Sequence, residues 1–320
     1  YKKQPCNACL RGGAKRKPFP RGASNPYTKF GEKVFSDLCG PLPRSPGFNY
    51  KYALCFVDAA TDWAAVYFCK SKSSDEVLEH FKQYQKDYRE QLRWNDGHVK
   101  TWATDNGGEF TADQIQDFCT EMYIKRRYSV PYAPPQNAKA EGLWRILLRP
   151  VRTMLAESGQ SLAFWPYAME QACRIHNSLP NNRLDGAMSS YEAISGKSPN
   201  LASLRVWGCK AYYLLPPPDV KSKLAPRAAE AVHLGNDPRR KGYIIYVPSL
   251  NRITSAYHLE FRESEFLGPD HTFKGVEDDE AIDAEYEYGQ VGRKFDPPHA
   301  LPNADDDDTS VVDGRSEVGE

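Results

Sequence analysis

Residues 99–110 read VKTWATDNGGEF. The first part, VKTWAT, has the β-branched and aromatic composition of a strand. Asp105 closes it, and Asn106-Gly107-Gly108 turns the chain sharply, because glycine accepts backbone angles that side chains forbid. The motif therefore places a carboxylate at the end of a strand. Two other acids stand in comparable places. Asp37 follows the apolar-bearing run KVFSDL, and Glu141 lies just inside the helix-like segment QNAKAEGLWRILL, with 35 residues between it and Asp105. Acids from separate elements that converge suit Mg²⁺ or Mn²⁺, hard cations that prefer oxygen ligands. Two such ions activate an attacking oxygen and stabilise a leaving one in phosphodiester chemistry. Most acidic residues are solvated surface groups, so no one of the three would carry this reading alone.

Working outward, KVFSDL, YALCFVDAA and AAVYFCK read as three strands with short connections, an antiparallel meander. SSDEVLEHFKQYQKDYREQL reads as a helix capped by Ser73 or Ser74, with Val77, Leu78, Phe81 and Tyr84 as its apolar stripe. After VKTWATD, the segment TADQIQDFCTEM predicts a second helix with Thr111 as N-cap, and YIKRRYSV a fifth strand carrying the cations Lys125, Arg126 and Arg127. Pro131, Pro134 and Pro135 hold the next stretch extended. A helix follows over about 137–157, with a perturbation expected at Pro150, which lacks a backbone donor. SLAFWPYAMEQACRIHNSL predicts another helix, and NNRLDGAMSSYEAISGKSPN a loop-rich stretch. The short aromatic and β-branched runs RVWGCKAYYLL, AEAVHLG, KGYIIYVP and ITSAYHLEF predict a small β domain.

The division expected is a linker and module remnant over residues 1–30, an α/β core over 31–200, a small β domain over 201–266 and an acidic tail over 267–320. VEDDEAIDAEYEYG and ADDDD make that tail too polar and like-charged to fold. The 42 basic and 42 acidic residues cancel, but not locally. Residues 265–320 hold 17 acids and 4 bases, and the remaining 25 acids and 38 bases leave the body at +13. A basic body favours a polyanion, because neutralising phosphates releases counterions.

No apolar run of about eighteen residues is present to suggest a membrane span, and the start lacks a signal-peptide pattern. The chain begins at Tyr1, which suggests a segment of a longer polyprotein. Eight scattered cysteines form no compact disulfide framework and point to a reducing, intracellular setting. Cys6-x-x-Cys9 has the spacing of half a zinc site, but a structural zinc needs four ligands. No P-loop is present, and no Ser-His-Asp order has supporting context.

The motifs DLCGPL, TDNGGEF and SVPYAPPQNAKAEGLWR, followed by RTML, RVWGCKAYYLL, KSKLAPRA, HLG, KGYIIYVPS and ITSAYHLEF, resemble the integrase of copia-type retrotransposons. That family belongs to the ribonuclease H-like superfamily and carries a triad of two aspartates and a glutamate. The likeness covers about residues 5 to 263. It implies a ribonuclease H-like five-stranded mixed sheet flanked by helices, with Asp37, Asp105 and Glu141 as catalytic acids and ligands of two Mg²⁺ or Mn²⁺ ions. It implies contact with double-stranded DNA through Asn106, Gln136, Asn137, Lys139 and Arg145, and action as a homo-multimer in a cytoplasmic particle and the nucleus. Cys6 and Cys9 would bind zinc only with a His pair upstream. Asp58, Asp62 and Glu109 are read as structural acids. The implied activity is hydrolysis at element DNA 3′ ends, then joining of those ends to target DNA. The alternatives are a catalytically silent DNA-binding protein and a ribonuclease H-like nuclease without strand transfer. One departure bears on activity: Gly142 follows Glu141 where the family usually has Arg, and Pro135 and Ala138 replace Gln and Gly.

Overall fold

The computed structural model describes residues 27–91, 98–129, 137–220, 222–237 and 241–268. Strands β1 (Val34–Cys39), β2 (Tyr52–Asp58) and β3 (Ala64–Cys69) form the expected meander, with β1 antiparallel to β2 and β2 to β3. Helix α1 (Ser74–Gln91) then crosses to β4 (Thr101–Thr104), which pairs parallel with β1. Strand β5 (Lys125–Tyr128) adds parallel to β4, giving the order β3-β2-β1-β4-β5.

β2 and β3 are apolar throughout because both of their faces are covered. Alternate residues of β2 serve two cores: Ala53, Cys55 and Val57 face one, Leu54 and Phe56 the other. The second core is closed by α1 through Val77, Leu78, Phe81, Tyr84 and Tyr88, so the stripe read from sequence is one residue longer than expected. Ser73 Oγ caps α1 by accepting from the Glu76 amide at 3.3 Å. Trp102 lies at the centre, its ring stacked on Phe81 at 3.7 Å and its indole N–H donating to Ser36 Oγ at 2.6 Å.

The helix expected from Thr111 is two helices. A single turn, α2 (Gly108–Thr111), precedes α3 (Asp113–Glu121), and the extended residue between them is Ala112. Thr111 is therefore the last residue of α2 and not an N-cap. Helix α4 (Ala138–Ser158) continues through Pro150, and α5 (Trp165–Ser178) packs beside it over the first core. The stretch expected to be loop contains α6 (Ser190–Ser195), whose capping box joins Ser189 and Glu192. Such a box satisfies two helix-end donors at once, which is why six residues suffice.

The β domain has five strands where four runs were read: β6 (Cys209–Leu214), β7 (Ala228–Asn236), β8 (Tyr243–Val247), β9 (Arg252–Ala256) and β10 (Leu259–Phe266). The run ITSAYHLEF folds back at Tyr257-His258 and supplies two of them. All pairings are antiparallel, in the order β10-β6-β7-β8-β9. One hydrophobic cluster joins this domain to the first, since Val232, Ile244 and Tyr246 share a core with Leu155 and Phe164. The chain passes close to α4 at Gly208, with φ +79, where a Cβ would lie 2.3 Å from Ser158 Cβ. Only glycine fits there.

Within this domain His233 is fully buried between Tyr243 and Phe261, ring centroids 5.4 and 5.3 Å away. Its Nδ1 lies 3.0 Å from the Val206 carbonyl, so that nitrogen carries the proton and donates. Burial pushes the imidazole down to about 4. The fold accepts only the neutral ring, so its contribution is complete above the ordinary histidine range near 6.5 and is lost as pH falls toward 4. Urea unfolding is expected to lose about 3 kcal/mol more between pH 7 and pH 4 in wild type than in His233→Gln. Equal slopes in the two proteins would contradict the assignment.

Candidate functional site

Two strands running the same way bring their C-terminal ends to one edge. Val34 pairs with Trp102 and Phe35 with Ala103. Carried two residues further, this register sets Asp37 opposite Asp105, on one face of the sheet. Asp105 is held in a turn in which the Gly107 amide donates to its Oδ1 at 3.0 Å. A Cβ on Gly107 would meet Glu109 Oε2 at 2.7 Å and Asp105 Oδ1 at 3.1 Å. The glycine thus leaves room for two carboxylates side by side. Glu109 also approaches Lys72, at 3.8 Å.

Glu141 enters from the first turn of α4 and is exposed. The electrostatics tie these acids together. Asp37 is raised to about 6, first by burial and then by the charge of Asp105, with Glu141 and Glu109 adding to it. The Leu38 amide, donating to Asp37 Oδ1 at 3.0 Å, works in the opposite direction. Glu109, read as structural from the sequence, thus lies in the same field as the three acids. Among the described residues no three His, Cys, Asp or Glu side chains already stand close enough together to hold an ion. The donor set nonetheless fits a hard divalent cation. It is all oxygen, and a cation would offset both the burial and the neighbouring negative charge that raise the Asp37 carboxyl.

The residues expected to meet DNA divide into three groups. Asn106 is exposed at the turn, its amide donating to the Ser129 carbonyl at 2.8 Å. Arg145 is exposed one turn beyond Glu141, and the exposed Arg149 and Arg152 extend the same side of α4. Asn137 and Lys139 are instead turned into the fold. Asn137 is buried and donates from Nδ2 to the Ser36 carbonyl at 3.2 Å. Lys139 Nζ donates to the Ala59 carbonyl at 2.7 Å and forms an ion pair with Asp62. Gln136, Cys6 and Cys9, like the acidic tail beyond residue 268, lie outside the described residues.

Of the three strand cations, Lys125 and Arg127 are exposed, whereas Arg126 folds inward. Its guanidinium lies 4.1 Å from the centre of the Trp102 ring and donates to Thr104 Oγ1 at 3.1 Å and to the Phe110 carbonyl at 3.0 Å. Strand alternation carried that signal, since 125 and 127 share one face and 126 takes the other.

Comparison with known proteins agrees with this architecture. Residues 28–134 match the integrase core domain family, and residues 209–274 match the retroviral polymerase SH3-like domain family. The chain thus carries an integrase core domain and a retroviral SH3-like domain, and its homologues are plant Pol polyproteins from copia-type retrotransposons. Over 263 residues, 82% of its length, it is 29% identical to the retrovirus-related Pol polyprotein from transposon TNT 1-94 of Nicotiana tabacum and 30% identical to that from transposon RE1 of Arabidopsis thaliana. It spans 19% and 17% of those two polyproteins. A solved simian T-cell lymphotropic virus intasome, in complex with PP2A regulatory subunit B56 gamma, aligns with 82% of this chain and 86% of its own at 16% identity and a TM-score of 0.47.

Gly142 has helical surroundings and open space where its Cβ would be, with nothing within 4 Å. No close approach demands a glycine there. Gly142→Ala should therefore raise stability by about 1 kcal/mol, the ordinary helix-interior difference. Chemical denaturation measures this, and a less stable variant would show that the position has a packing constraint after all.

Proposed function

We propose that this chain processes DNA 3′ ends and joins them to a second duplex, using Asp37, Asp105 and Glu141 as its catalytic acids. The observation that supports the reading is the parallel register that carries Asp37 and Asp105 to one edge beside the start of α4; Asp37 is raised to about 6, first by its burial, then by the charge of Asp105, with Glu141 adding less. The three carboxylates would hold Mg²⁺ or Mn²⁺, which when bound supplies positive charge that activates an attacking oxygen and stabilises the leaving one.

The chain's own residues do the rest. Asp37 stands on β1 and Asp105 directly follows β4, held by the Gly107 amide, so strand pairing and this turn bond together set their spacing. Glu141 projects from a helix N-terminus, where the dipole favours its charge. Exposed Arg145, Arg149 and Arg152 form a row leading away from Glu141 and would hold phosphates without reading sequence. Asn106, exposed at the glycine turn, would meet a strand entering the site. Gln136 is assigned the same role by resemblance. The basic body supports duplex DNA as the partner, and joining two ends together calls for more than one copy of the chain.

Purified full-length chain, supplied with Mn²⁺ and duplexes carrying the matching element ends, should cleave and join them. Asp105→Asn and Glu141→Gln should abolish both steps while melting temperature and DNA retention stay near wild type. Turnover equal to wild type in either variant would remove that acid from the mechanism. Cleavage without joining by the wild-type chain would favour a nuclease. DNA retention without either step would favour a binding protein.

A further inference from the structure

The start of α4 is tied down at two points on opposite sides. Asn137 fastens one side to the Ser36 carbonyl, the neighbour of Asp37. Lys139 fastens the other to the turn between β2 and β3, through the Ala59 carbonyl at 2.7 Å and the Asp62 carboxylate. Helical residues advance by about 100° each. Residue 141 therefore lies nearly opposite residue 139 and within about 40° of residue 137. Once Lys139 is tethered to the turn, Glu141 is driven to the side that faces β1.

The receiving turn is built for this contact. Asp58 shapes it by accepting from the Gly31, Ala60 and Thr61 amides and from the Thr61 hydroxyl. Asp62 adopts φ +55, a left-handed conformation that aspartate tolerates better than most residues, and is itself buried. Its other oxygen accepts from Asn181 Nδ2 at 2.8 Å and lies 3.7 Å from Arg183. The side chains of Lys139 and Asp62 are 18% and 10% exposed, so this is an internal ion pair and not a surface one. Gly142, the residue after Glu141, weakens the helix at the point where rigidity is needed, which increases the value of an external anchor.

We propose that Lys139, clamped by Asp62, is a positioning residue that fixes the rotation of α4 and so aims Glu141 at Asp37 and Asp105. This rests on the reading of Glu141 as a metal-binding acid. The partner of Lys139 is then the protein and not DNA.

The test uses the full-length chain and three variants: Lys139→Met, Lys139→Arg, and the double variant Asp62→Asn with Lys139→Met, which leaves no buried charge unpaired if the single change harms folding. Mn²⁺ affinity is measured by titration calorimetry, with Glu141→Gln as reference, and amide exchange is followed at Glu141, Gly142 and Leu143. Lys139→Met and the double variant should bind Mn²⁺ about 10-fold to 100-fold more weakly, approaching Glu141→Gln, as for other residues that orient a ligand. Exchange at the three amides should be faster. Lys139→Arg should return both values toward wild type, and the double variant should melt near wild type. Wild-type affinity and exchange in both Met-containing variants would overturn the clamp, as would failure of Lys139→Arg to restore either. If Glu141→Gln does not alter Mn²⁺ binding, the metal-centre reading fails on its own. Exchange then decides the clamp, and unchanged rates at 141–143 overturn it.

Discussion

The parallel pairing of β1 with β4 is the contact on which the site depends. It brings Asp37 and Asp105 to one edge, where burial first and the charge of Asp105 second raise the Asp37 carboxyl. That arrangement holds because the strands are locked by burial on both faces. Trp102 bonds to Ser36 and stacks on Phe81 behind the sheet, and Arg126 closes the same region from β5. The charged edge is thus supported by an aromatic core that reaches Ser36, next to Asp37, and Trp102, three residues before Asp105.

Helix α4 links this edge to the rest of the molecule. Its first turn carries Glu141, and its later residues Leu143, Leu147, Val151 and Leu155 belong to the first core. Its last residue, Ser158, touches Gly208 at the entrance to the β domain. One continuous helix therefore spans the distance from the acidic edge to the β domain. The capped α6 and the Asn181–Asp62 bond brace the opposite side of the same assembly.

Much of this was legible in the sequence. The period-two and helical patterns gave the order of strands and helices, and TDNGGEF announced an acid at a strand end. The small β domain follows from those elements, and the five-stranded mixed sheet from the family resemblance. What escaped was set by contacts between distant residues. Lys139 is chemically suited to phosphate, and nothing local says that Asp62, 77 positions earlier, takes its charge. Asn137 looks like a helix-start polar residue and turns out to brace β1. Thr111 is a good cap by type, yet the glycine turn winds it into α2 first. The neighbourhood of Glu109 and Asp105 depends on Gly107 lacking a side chain, which only the folded turn makes plain.

The central claim is that Asp37, Asp105 and Glu141 form one divalent-cation site. The most direct measurement is a crystal structure of the chain soaked in Mn²⁺, with the ion located by its anomalous scattering. The account predicts Mn²⁺ bound by the Asp37 and Asp105 carboxylates, with Glu141 directed at the same site. Mn²⁺ bound elsewhere, or Glu141 directed away from an occupied Asp37–Asp105 pair, would contradict it.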